Sequence, residues 1–578
     1  MRSTARPLLL VALMVLSLLA ACTGASPTAG TSQTTTPAGQ PGRVASSAPK
    51  ILTIAVQRVP TQLFTTLGQP ETSVGGATHI FSIPHDLLVV QDSKGNWLPR
   101  LAADEISTDA GTWVLNADGS MDTTWKLRPT IKWQDGTPFT SDDLMFTFCV
   151  FTDPAIPNSV GAAIGLMDSA SAPDAETFAI HWKAPYIYAN RAPGLTPLPR
   201  HLLGDVFSND KVNLINSPYT TSQFVGLGPY RLTSWDPGSE IAFSRFDDYY
   251  LGRPSLDSVD VKVIGDANAL IANILAGGVD VILSEGADLD AEIDLKQRWE
   301  GTGNQVYILP YDPGGGLRHF EIQFRPEYAQ PTHFGLADHT VRQAFYQATN
   351  RQNLSDIITH GYGPVADSWV PPYHTLRPAL EAAIPQFPYD PGAAQQLLAQ
   401  AGWVKGQDGI LVHQQTGERF ETTLYSSQGA NVERAINVAA EDWKAMGAIV
   451  DLAVIPIELG SDRQYRATLP GAGYTGGVGY DAFSTDRLHS KFISSPANSW
   501  AGSNRGGYNN PQVDALIDRV VVTIDPPAQL DLQRQLLRAQ MGDIAMMPLF
   551  WDINVVPVVK GVQGLDGGDS NVFHWDKE

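Results

Sequence analysis

The sequence predicts an α/β protein that is divided into two or more lobes. The chain has 578 residues, whereas a single hydrophobic core stops growing at about 250–300 residues. From Ile51 onwards, strand-like runs, turn residues and amphipathic helical segments alternate along the chain. Apolar residues make up 43% and charged residues 17% of the composition, which is typical of a globular protein.

The N-terminal residues predict a signal peptide over residues 1–21. Arg2 and Arg6 precede an apolar run at 7–21, which is shorter than the roughly 20 residues that a membrane span requires. The run ends in Leu19-Ala20-Ala21-Cys22, which resembles the lipobox of bacterial lipoproteins. The resemblance implies cleavage before Cys22 and acylation of the protein, for example with palmitate. The alternative is an ordinary signal peptide that contains a cysteine.

Residues 22–49 predict a flexible linker between the lipidated cysteine and the folded body. The segment is rich in Ser, Thr, Pro, Gly and Ala, so it buries too little apolar surface to offset the entropy of ordering. Two acyl chains anchor a protein stably. The expected location is therefore the extracytoplasmic face of the cell membrane.

Charge and cysteine content limit the remaining possibilities. The net charge of −21 argues against a nucleic-acid partner, which requires a basic surface. With Cys22 lipidated, Cys149 has no disulfide partner. Because Cys149 lies in the apolar run 144–151, we expect a buried and unreactive thiol.

The folded body begins with an apolar run at 51–56 that predicts a strand. Residues 113–127 predict a β-hairpin, because alternating apolar residues flank turn residues at 116–119. Capping residues, glycine stops and apolar spacing predict helices, and β-branched runs between them predict further strands. The predicted helices cover 268–275, 341–349, 391–401, 431–446, 511–522 and 530–541, and the strands cover 449–455 and 555–559.

The sequence contains no specific catalytic signature. The phosphate-loop, HExxH, GxSxG and CxxC motifs are absent. The histidines lack the spacing of metal ligands, so we predict no metal, no cofactor and no enzymatic activity. A GxGxxG pattern at 471–476 does not follow a clear strand, and we interpret it as a glycine-rich loop beside a ligand pocket.

Several different short motifs follow one another along the body. The most specific is the stretch 125–143, in which a K-L-R strand end precedes a D-G-T-P turn and a helix start with Asp142 and Asp143 near its positive end. The other motifs are Gly226-Leu-Gly-Pro-Tyr230, Tyr250-Leu-Gly-Arg-Pro254, Leu275 to Asp280, Val341-Arg-Gln-Ala344, Tyr508 to Asp514 and Met547-Pro-Leu-Phe550.

Together these motifs resemble the solute-binding proteins of peptide, nickel and related ABC importers. The resemblance implies a two-lobe periplasmic-binding-protein-like fold with a hinged interlobe cleft. It implies lobe I at 50–305 plus 545–578 with an extra subdomain at 86–223, and lobe II at 306–544. The implied protein is a monomer that captures a peptide-like solute and delivers it to an ABC permease and ATPase complex.

Within this resemblance, aromatic residues on loops are the candidates for ligand contact. The candidates are Gln57, Trp369, Tyr474, Tyr480, Asp481 and Trp500. Arg128, Arg342 and Tyr508 are interpreted as structural.

The ligand class stays open between several possibilities. Peptide-binding members carry an acid that pairs with the ligand ammonium, but the matching position here is near Gly477 unless Asp481 takes its place. A sugar-like solute, a metal chelate or haem is therefore also open. A secreted lipoprotein hydrolase and a ligand sensor not coupled to import are the alternative functions.

Overall fold

The computed structural model describes residues 49–59, 62–63, 80–92, 96–156, 161–192, 195–283, 289–310, 316–331, 335–478, 483 and 486–564. The predicted signal peptide, the lipidation site at Cys22 and the linker up to residue 48 lie outside the described residues. Tyr480 and Asp481 lie outside them as well.

Strands occur along the whole described body. In chain order they are β1 (Ile51–Val56), β2 (Val89–Gln91), β3 (Trp97–Pro99), β4 (Trp113–Leu115), β5 (Met121–Lys126), β6 (Met167–Asp174), β7 (Thr177–Trp182), β8 (Tyr230–Asp236), β9 (Glu240–Arg245), β10 (Ser258–Val263), β11 (Val281–Ile282), β12 (Gln305–Pro310), β13 (Leu317–Ile322), β14 (Trp403–Lys405), β15 (Leu411–His413), β16 (Glu421–Ser426), β17 (Ile449–Val454), β18 (Ala472–Val478), β19 (Met547–Trp551) and β20 (Ile553–Val558).

Helices alternate with these strands. In chain order they are α1 (Ser141–Thr152), α2 (Gly161–Leu166), α3 (Arg200–Asp210), α4 (Ala267–Leu275), α5 (Leu289–Arg298), α6 (His339–Ala348), α7 (Arg351–Thr359), α8 (Arg377–Leu380), α9 (Pro391–Gln400), α10 (Ala430–Met446), α11 (Arg463–Thr468), α12 (Pro511–Val520) and α13 (Pro526–Gly542).

The first large sheet has seven strands in the order β12-β20-β11-β1-β10-β9-β8. Its central strand β1 is parallel to β10 and β11 and is apolar on both faces, as expected for a strand covered on both sides. Ile54 packs into a core shared with the four-stranded sheet β4-β5-β7-β6, and Ala55 packs into a second core with α4 and α5.

The second large sheet has five strands in the order β17-β16-β18-β13-β19. Strand β16 is parallel to β17 and β18, whereas β13 is antiparallel to β18 and β19. Trp443 of α10 and Leu536 of α13 belong to two separate hydrophobic clusters that include residues of this sheet. Helices therefore cover both faces of the sheet, as in α/β proteins.

The chain passes between the two large sheets twice. It leaves the first sheet at the end of β12 and enters the second at Leu317. It returns between β19 and β20, where Asp552 is the intervening residue. Two close crossovers between separate sheets are the connectivity that a hinge requires.

The predicted elements agree with the structure in type and, mostly, in boundaries. The caps Asp338, Asp390 and Asn510 accept backbone hydrogen bonds at the starts of α6, α9 and α12. Gly447 ends α10 at a φ of 104°, a conformation that favours glycine. Helix α13 begins earlier than the predicted Leu530, because Asp525 caps it and Pro526 and Pro527 occupy its first positions.

The prediction for Cys149 was wrong, since this residue is exposed. The apolar run forms α1, in which Leu144, Phe148 and Phe151 face the core. Because side chains advance by about 100° per residue in a helix, an apolar run longer than one turn places some members on the outer face.

The exposed thiol of Cys149 is expected to react with iodoacetamide in the folded protein. Thiolate accessibility controls such reactions, so native alkylation should reach one adduct at this residue without denaturant. Intact-mass spectrometry of the wild type and of Cys149→Ser measures this adduct. Alkylation that requires denaturant would place the thiol in the core.

Among the described residues, the structure contains no helix with the length and apolar character of a membrane-spanning segment.

Candidate functional site

A cavity of about 360 Å³ lies at the five-stranded sheet. Strands β13, β16 and β18 contribute part of its wall, and α10, α11 and the adjoining loops contribute the rest. The lining residues are Arg318, Glu321, Tyr425, Ser427, Gln428, Val432, Ile455, Pro456, Ile457, Gly460, Arg466, Gly473, Tyr474, Thr475, Gly476 and Arg505. The volume is in the range of small-molecule pockets.

Glycines in β18 allow the side chains of neighbouring strands to reach this wall. A Cβ atom at Gly473 would lie 2.4 Å from ring atoms of Tyr425, and one at Gly476 would lie 2.7 Å from Arg318. The segment 471–476 was predicted as a glycine-rich loop, but most of it is strand β18. Glycine in a strand marks the close approach of another group, so the predicted position beside a pocket agrees with the structure.

Two side chains at the end of β13 fix the far wall of the cavity. The Gln323 amide donates to the carbonyl oxygens of Ala467 and Leu469 at 3.0 and 2.9 Å. The guanidinium of Arg325 donates to the carbonyl oxygens of Ala467 and Arg505. The side chains of Gln323 and Arg325 therefore hold helix α11 and the loop that carries Arg505 close together. These contacts fix the positions of the side chains that α11 and the loop contribute to the cavity.

Glu321 is the acidic residue among the lining side chains, and arginines surround it. An Nη2 atom of Arg487 lies 3.9 Å from its carboxylate. Burial raises the pKa of Glu321, but the positive charges of Arg487 and Arg505 outweigh burial and hold the pKa below its ordinary value. The carboxylate is therefore ionised at neutral pH.

Arg318 connects the cavity to the crossover between the sheets. Its Nε atom lies 2.5 Å from the carboxylate of Asp552, and its guanidinium carbon lies 5.9 Å from the ring centre of Tyr474. Burial raises the pKa of the Tyr474 phenol, so this group stays protonated and can donate a hydrogen bond to a ligand.

The structure brings Tyr474 to the cavity and places the other described candidates elsewhere. Trp369 is fully buried and stacks on Phe483 at 6.4 Å. Trp500 lies 5.9 Å from the Arg325 guanidinium and has a φ of 61°. Gln57 follows β1 of the first sheet and is not a lining residue of this cavity.

Three arginines outside the candidate set line the cavity and supply its positive charge. They are Arg318, Arg466 and Arg505. Sequence reasoning favoured aromatic loops, whereas these arginines come from a strand, a short helix and a loop that are distant in sequence. One signal was present in the sequence: Arg505 lies in the glycine-rich stretch 500–508, which contains this charge beside Trp500 and Tyr508.

Arg342 and Tyr508, which were interpreted as structural, bond to the backbone and side chains of the protein itself. Arg342 is 3% exposed and donates to the carbonyl oxygens of Ala337 and Asp543. The Tyr508 hydroxyl donates to the Asp543 carboxylate at 2.7 Å. Within the described ranges, no group of three or more His, Cys, Asp and Glu side chains has metal-site geometry.

The cavity is chemically suited to holding a polar solute. Guanidinium and phenol groups supply hydrogen-bond donors, and the edges of Ile455, Pro456 and Val432 supply apolar contact.

Comparisons with known proteins identify the family. The model of "Bacterial extracellular solute-binding proteins, family 5 Middle" matches residues 97–492. The oligopeptide-binding protein AppA of Bacillus subtilis is 28% identical over 348 residues, which is 59% of this chain and 60% of that protein. Protein XP55 of Streptomyces lividans is 26% identical over 525 residues, which is 89% of this chain and 86% of that protein.

Solved structures share the fold. AppA of Bacillus subtilis in complex with a nonapeptide has a TM-score of 0.68 at 22% identity and covers 92% of this chain and 99% of its own. NikZ of Campylobacter jejuni in complex with Ni(L-His) has a TM-score of 0.70 at 20% identity and covers 91% of this chain and 99% of its own. The chain thus has the two-lobe α/β fold of these binding proteins, and it belongs to the bacterial extracellular solute-binding proteins of family 5.

Proposed function

We propose that this protein is the extracytoplasmic solute-binding component of an ABC importer. It captures a peptide-like solute between two lobes and delivers it to a membrane permease with its ATPase. The observation that carries this proposal is the position of the cavity: its wall residue Arg318 is paired with Asp552 at a crossover between the two sheets. We expect a solute in the cavity to act on this crossover and thereby to favour one angle between the lobes.

The lobes follow the two sheets. Lobe I comprises 50–305 with the rest of β12 and the C-terminal return, because β12 pairs with β20, and it has a subdomain near 86–223. Lobe II comprises the remainder of 306–544 together with β19, because β19 pairs with β13. The hinge then consists of the segment between β12 and β13 and of Asp552.

Contacts between elements of the two lobes support a closed arrangement. The carboxylate of Asp290 in α5 lies 2.5 Å from Nε2 of His360 and 3.7 Å from Nη2 of Arg434. The Ile187 amide donates to the Val521 carbonyl at 3.0 Å. The ion pairs of Asp290 are exposed, and pairs of this kind contribute little energy each, which favours reversible opening of the lobes.

We expect the N-terminal segment to hold the protein at the membrane. A signal peptide at 1–21, lipidation at Cys22 and a linker to residue 49 hold a monomer on the extracytoplasmic face, within reach of the permease. Gln57, Trp369, Tyr474, Tyr480, Asp481 and Trp500 stay predicted ligand contacts. The peptide class is supported by the names of the relatives, which include an oligopeptide-binding protein.

Native mass spectrometry of the purified full chain tests the function. We expect a co-purified peptide-like molecule, or binding from peptide pools of defined length, with a matching rise in melting temperature. A protein that carries no peptide-like molecule and binds none from the pools would contradict the proposal.

Gly473→Ala is expected to weaken that binding by about tenfold or more. The added Cβ would lie 2.4 Å from the Tyr425 ring, so the ring must move and the wall of the cavity changes, a displacement sufficient to lose a well-placed contact. Titration calorimetry with a peptide that binds the wild type measures the change. Gly165→Ala is the matched control, since nothing lies within 4 Å of its Cβ position. Equal affinities of both variants would remove this cavity from the binding site.

A further inference from the structure

A short segment of lobe I packs into the hydrophobic core of lobe II. Ile187 and Tyr188 follow β7 of the four-stranded sheet, and they are 8% and 6% exposed. Among the described residues, they belong to the buried cluster whose other members lie between Leu317 and Trp551, and not to the lobe I core that contains Trp182. Two side chains of one lobe thus complete the core of the other.

The backbone of this segment, which we call the strap (186–188), also bonds to lobe II. The amide nitrogen of Ile187 donates to the carbonyl oxygen of Val521 at 3.0 Å. Val521 is the C-cap of α12, where the last carbonyl groups of a helix have no partner within the helix. If the lobes separate, water can reach both groups, so the contact can break without leaving a buried polar group unpaired.

Aromatic contacts hold the strap on lobe I. The ring of Tyr186 stacks on Trp182, a fully buried residue of the lobe I core, with the ring centres 5.7 Å apart. The guanidinium carbon of Arg191 lies 3.8 Å from the ring centre of Tyr188 and 5.1 Å from that of Trp97. Because Trp182, Arg191 and Trp97 belong to lobe I, we expect the strap to move with lobe I when the lobes separate.

We propose that the strap is a latch that sets the solute affinity of the protein without contacting the solute. Opening of the lobes transfers Ile187 and Tyr188 into water, and the free-energy cost rises with the apolar surface exposed. The strap therefore increases the population of the closed form before any solute binds, and the apparent affinity rises with the fraction of binding-competent protein. This inference rests on the proposed function and adds a determinant of affinity outside the residues that line the cavity.

Ile187→Ser tests the latch through affinity. Serine removes the apolar contact, so two peptides of different composition should both bind on the order of 10-fold more weakly than to the wild type, and by the same factor. Ile187→Val keeps the contact and should bind within about threefold of the wild type. Ile357→Ser replaces an exposed isoleucine on α7 of lobe II and should keep wild-type affinity. Titration calorimetry on the full chain measures these values.

Two results of this comparison would overturn the latch. Wild-type affinity in Ile187→Ser would show that docking of the strap does not affect binding. A loss of affinity for one peptide alone would show that Ile187 acts through contact with the solute.

Ile187→Cys in combination with Cys149→Ser reports directly on the position of the strap. Iodoacetamide should modify the new thiol in the ligand-free protein, because opening exposes it, and a bound peptide should slow this reaction by about tenfold or more. The exposed thiol of Cys149 in the wild type is the control and should react at the same rate with and without peptide. Mass spectrometry of timed samples, with peptide mapping of the adduct, measures both rates. Equal rates at position 187 with and without peptide would show that the strap does not leave lobe II, which would reject the latch.

The two proposals fail in different ways. If no peptide binds the wild type, the proposed function fails and this inference falls with it. If peptides bind but neither the affinity nor the alkylation rate depends on the strap, the function stands and the latch alone is rejected.

Discussion

Asp86→Ala is expected to lower the free energy of unfolding by about 3–5 kcal/mol. The Asp86 carboxylate accepts hydrogen bonds from Arg100 Nη2 at 3.1 Å, from the Tyr249 hydroxyl at 2.8 Å and from the Tyr250 hydroxyl at 2.7 Å. The side chains of Asp86 and Arg100 are 5% and 7% exposed. Removal of the acid leaves a buried guanidinium without its counter-charge and two phenols without their acceptor.

The loss of stability in Asp86→Ala comes from the buried Arg100 and tyrosine groups that lose their acceptor. The net contribution of the intact ion pair is a smaller part of it. Burial alone lowers the pKa of Arg100, yet the attraction of Asp86 and the two tyrosines raises it above its ordinary value. A guanidinium cannot be deprotonated in a protein, so Arg100 keeps its charge when Asp86 is removed and its desolvation stays uncompensated.

Urea denaturation followed by tryptophan fluorescence measures this loss. The matched control is Asp248→Ala, which removes a carboxylate 3.0 Å from Lys132 where both side chains are exposed; exposed pairs contribute about 0–1 kcal/mol. A loss for Asp86→Ala as small as that of the control would show that solvent reaches the network and that the three donors find other partners.

Local chemistry explains which features of this fold could be predicted from the sequence. Some features depend only on residues that are close together in sequence, so a short stretch of sequence is enough to predict them. Examples are the cap at Asn510, the strand at 51–56 and the helix end at Gly447. The start of α13 was missed because the Asp525 cap precedes two prolines that were not read as helical positions.

The candidate site was harder to predict because its residues meet only through the order of strands. Arg318 lies on β13, and the contacts of Gln323 and Arg325 after β13 hold the backbone next to Arg466 and that of Arg505 beside this strand. No local pattern encodes these contacts. The aromatic pattern selected Tyr474, which lines the cavity, and also Trp369, which packs against Phe483; both stay predicted ligand contacts. A buried aromatic in a core and one in a pocket wall carry the same sequence signal.

Acidification from pH 7.5 to pH 5 is expected to cost this protein about 4 kcal/mol of unfolding free energy through two buried histidines. Burial lowers the pKa of His85 to about 4, against a smaller opposing effect of Asp86. Burial and the Arg487 charge lower the pKa of His319 to about 3, against the opposing charge of Glu321. Both rings are therefore neutral in the folded state throughout this pH range.

The direction of the stability change depends on whether the folded or the unfolded state binds more protons. The unfolded chain protonates these rings below its ordinary histidine pKa of 6.5, whereas the folded protein does not until pH falls to about 4 and 3. Stability is thus complete above about pH 6.5 and is lost progressively below it, at roughly 1.4 kcal/mol per pH unit for each ring. Carboxylates of ordinary pKa titrate mainly below about pH 4.5, but burial raises the pKa of Asp143, Asp442 and Asp552. The histidine contribution is therefore measured by comparison with a histidine variant.

Urea denaturation at pH 7.5, 6 and 5 on His319→Phe tests this dependence. Phenylalanine keeps the edge contact that His319 makes with Phe483 at 5.6 Å but cannot take up a proton, so the variant should lose about half as much stability as the wild type over the same interval. The exposed-residue variant His339→Gln should keep the wild-type slope. The prediction is wrong if the free energy of unfolding depends on pH equally in the wild type and in His319→Phe. His319 would then be protonated to the same extent in the folded and unfolded states, which requires water to reach its ring in the folded protein.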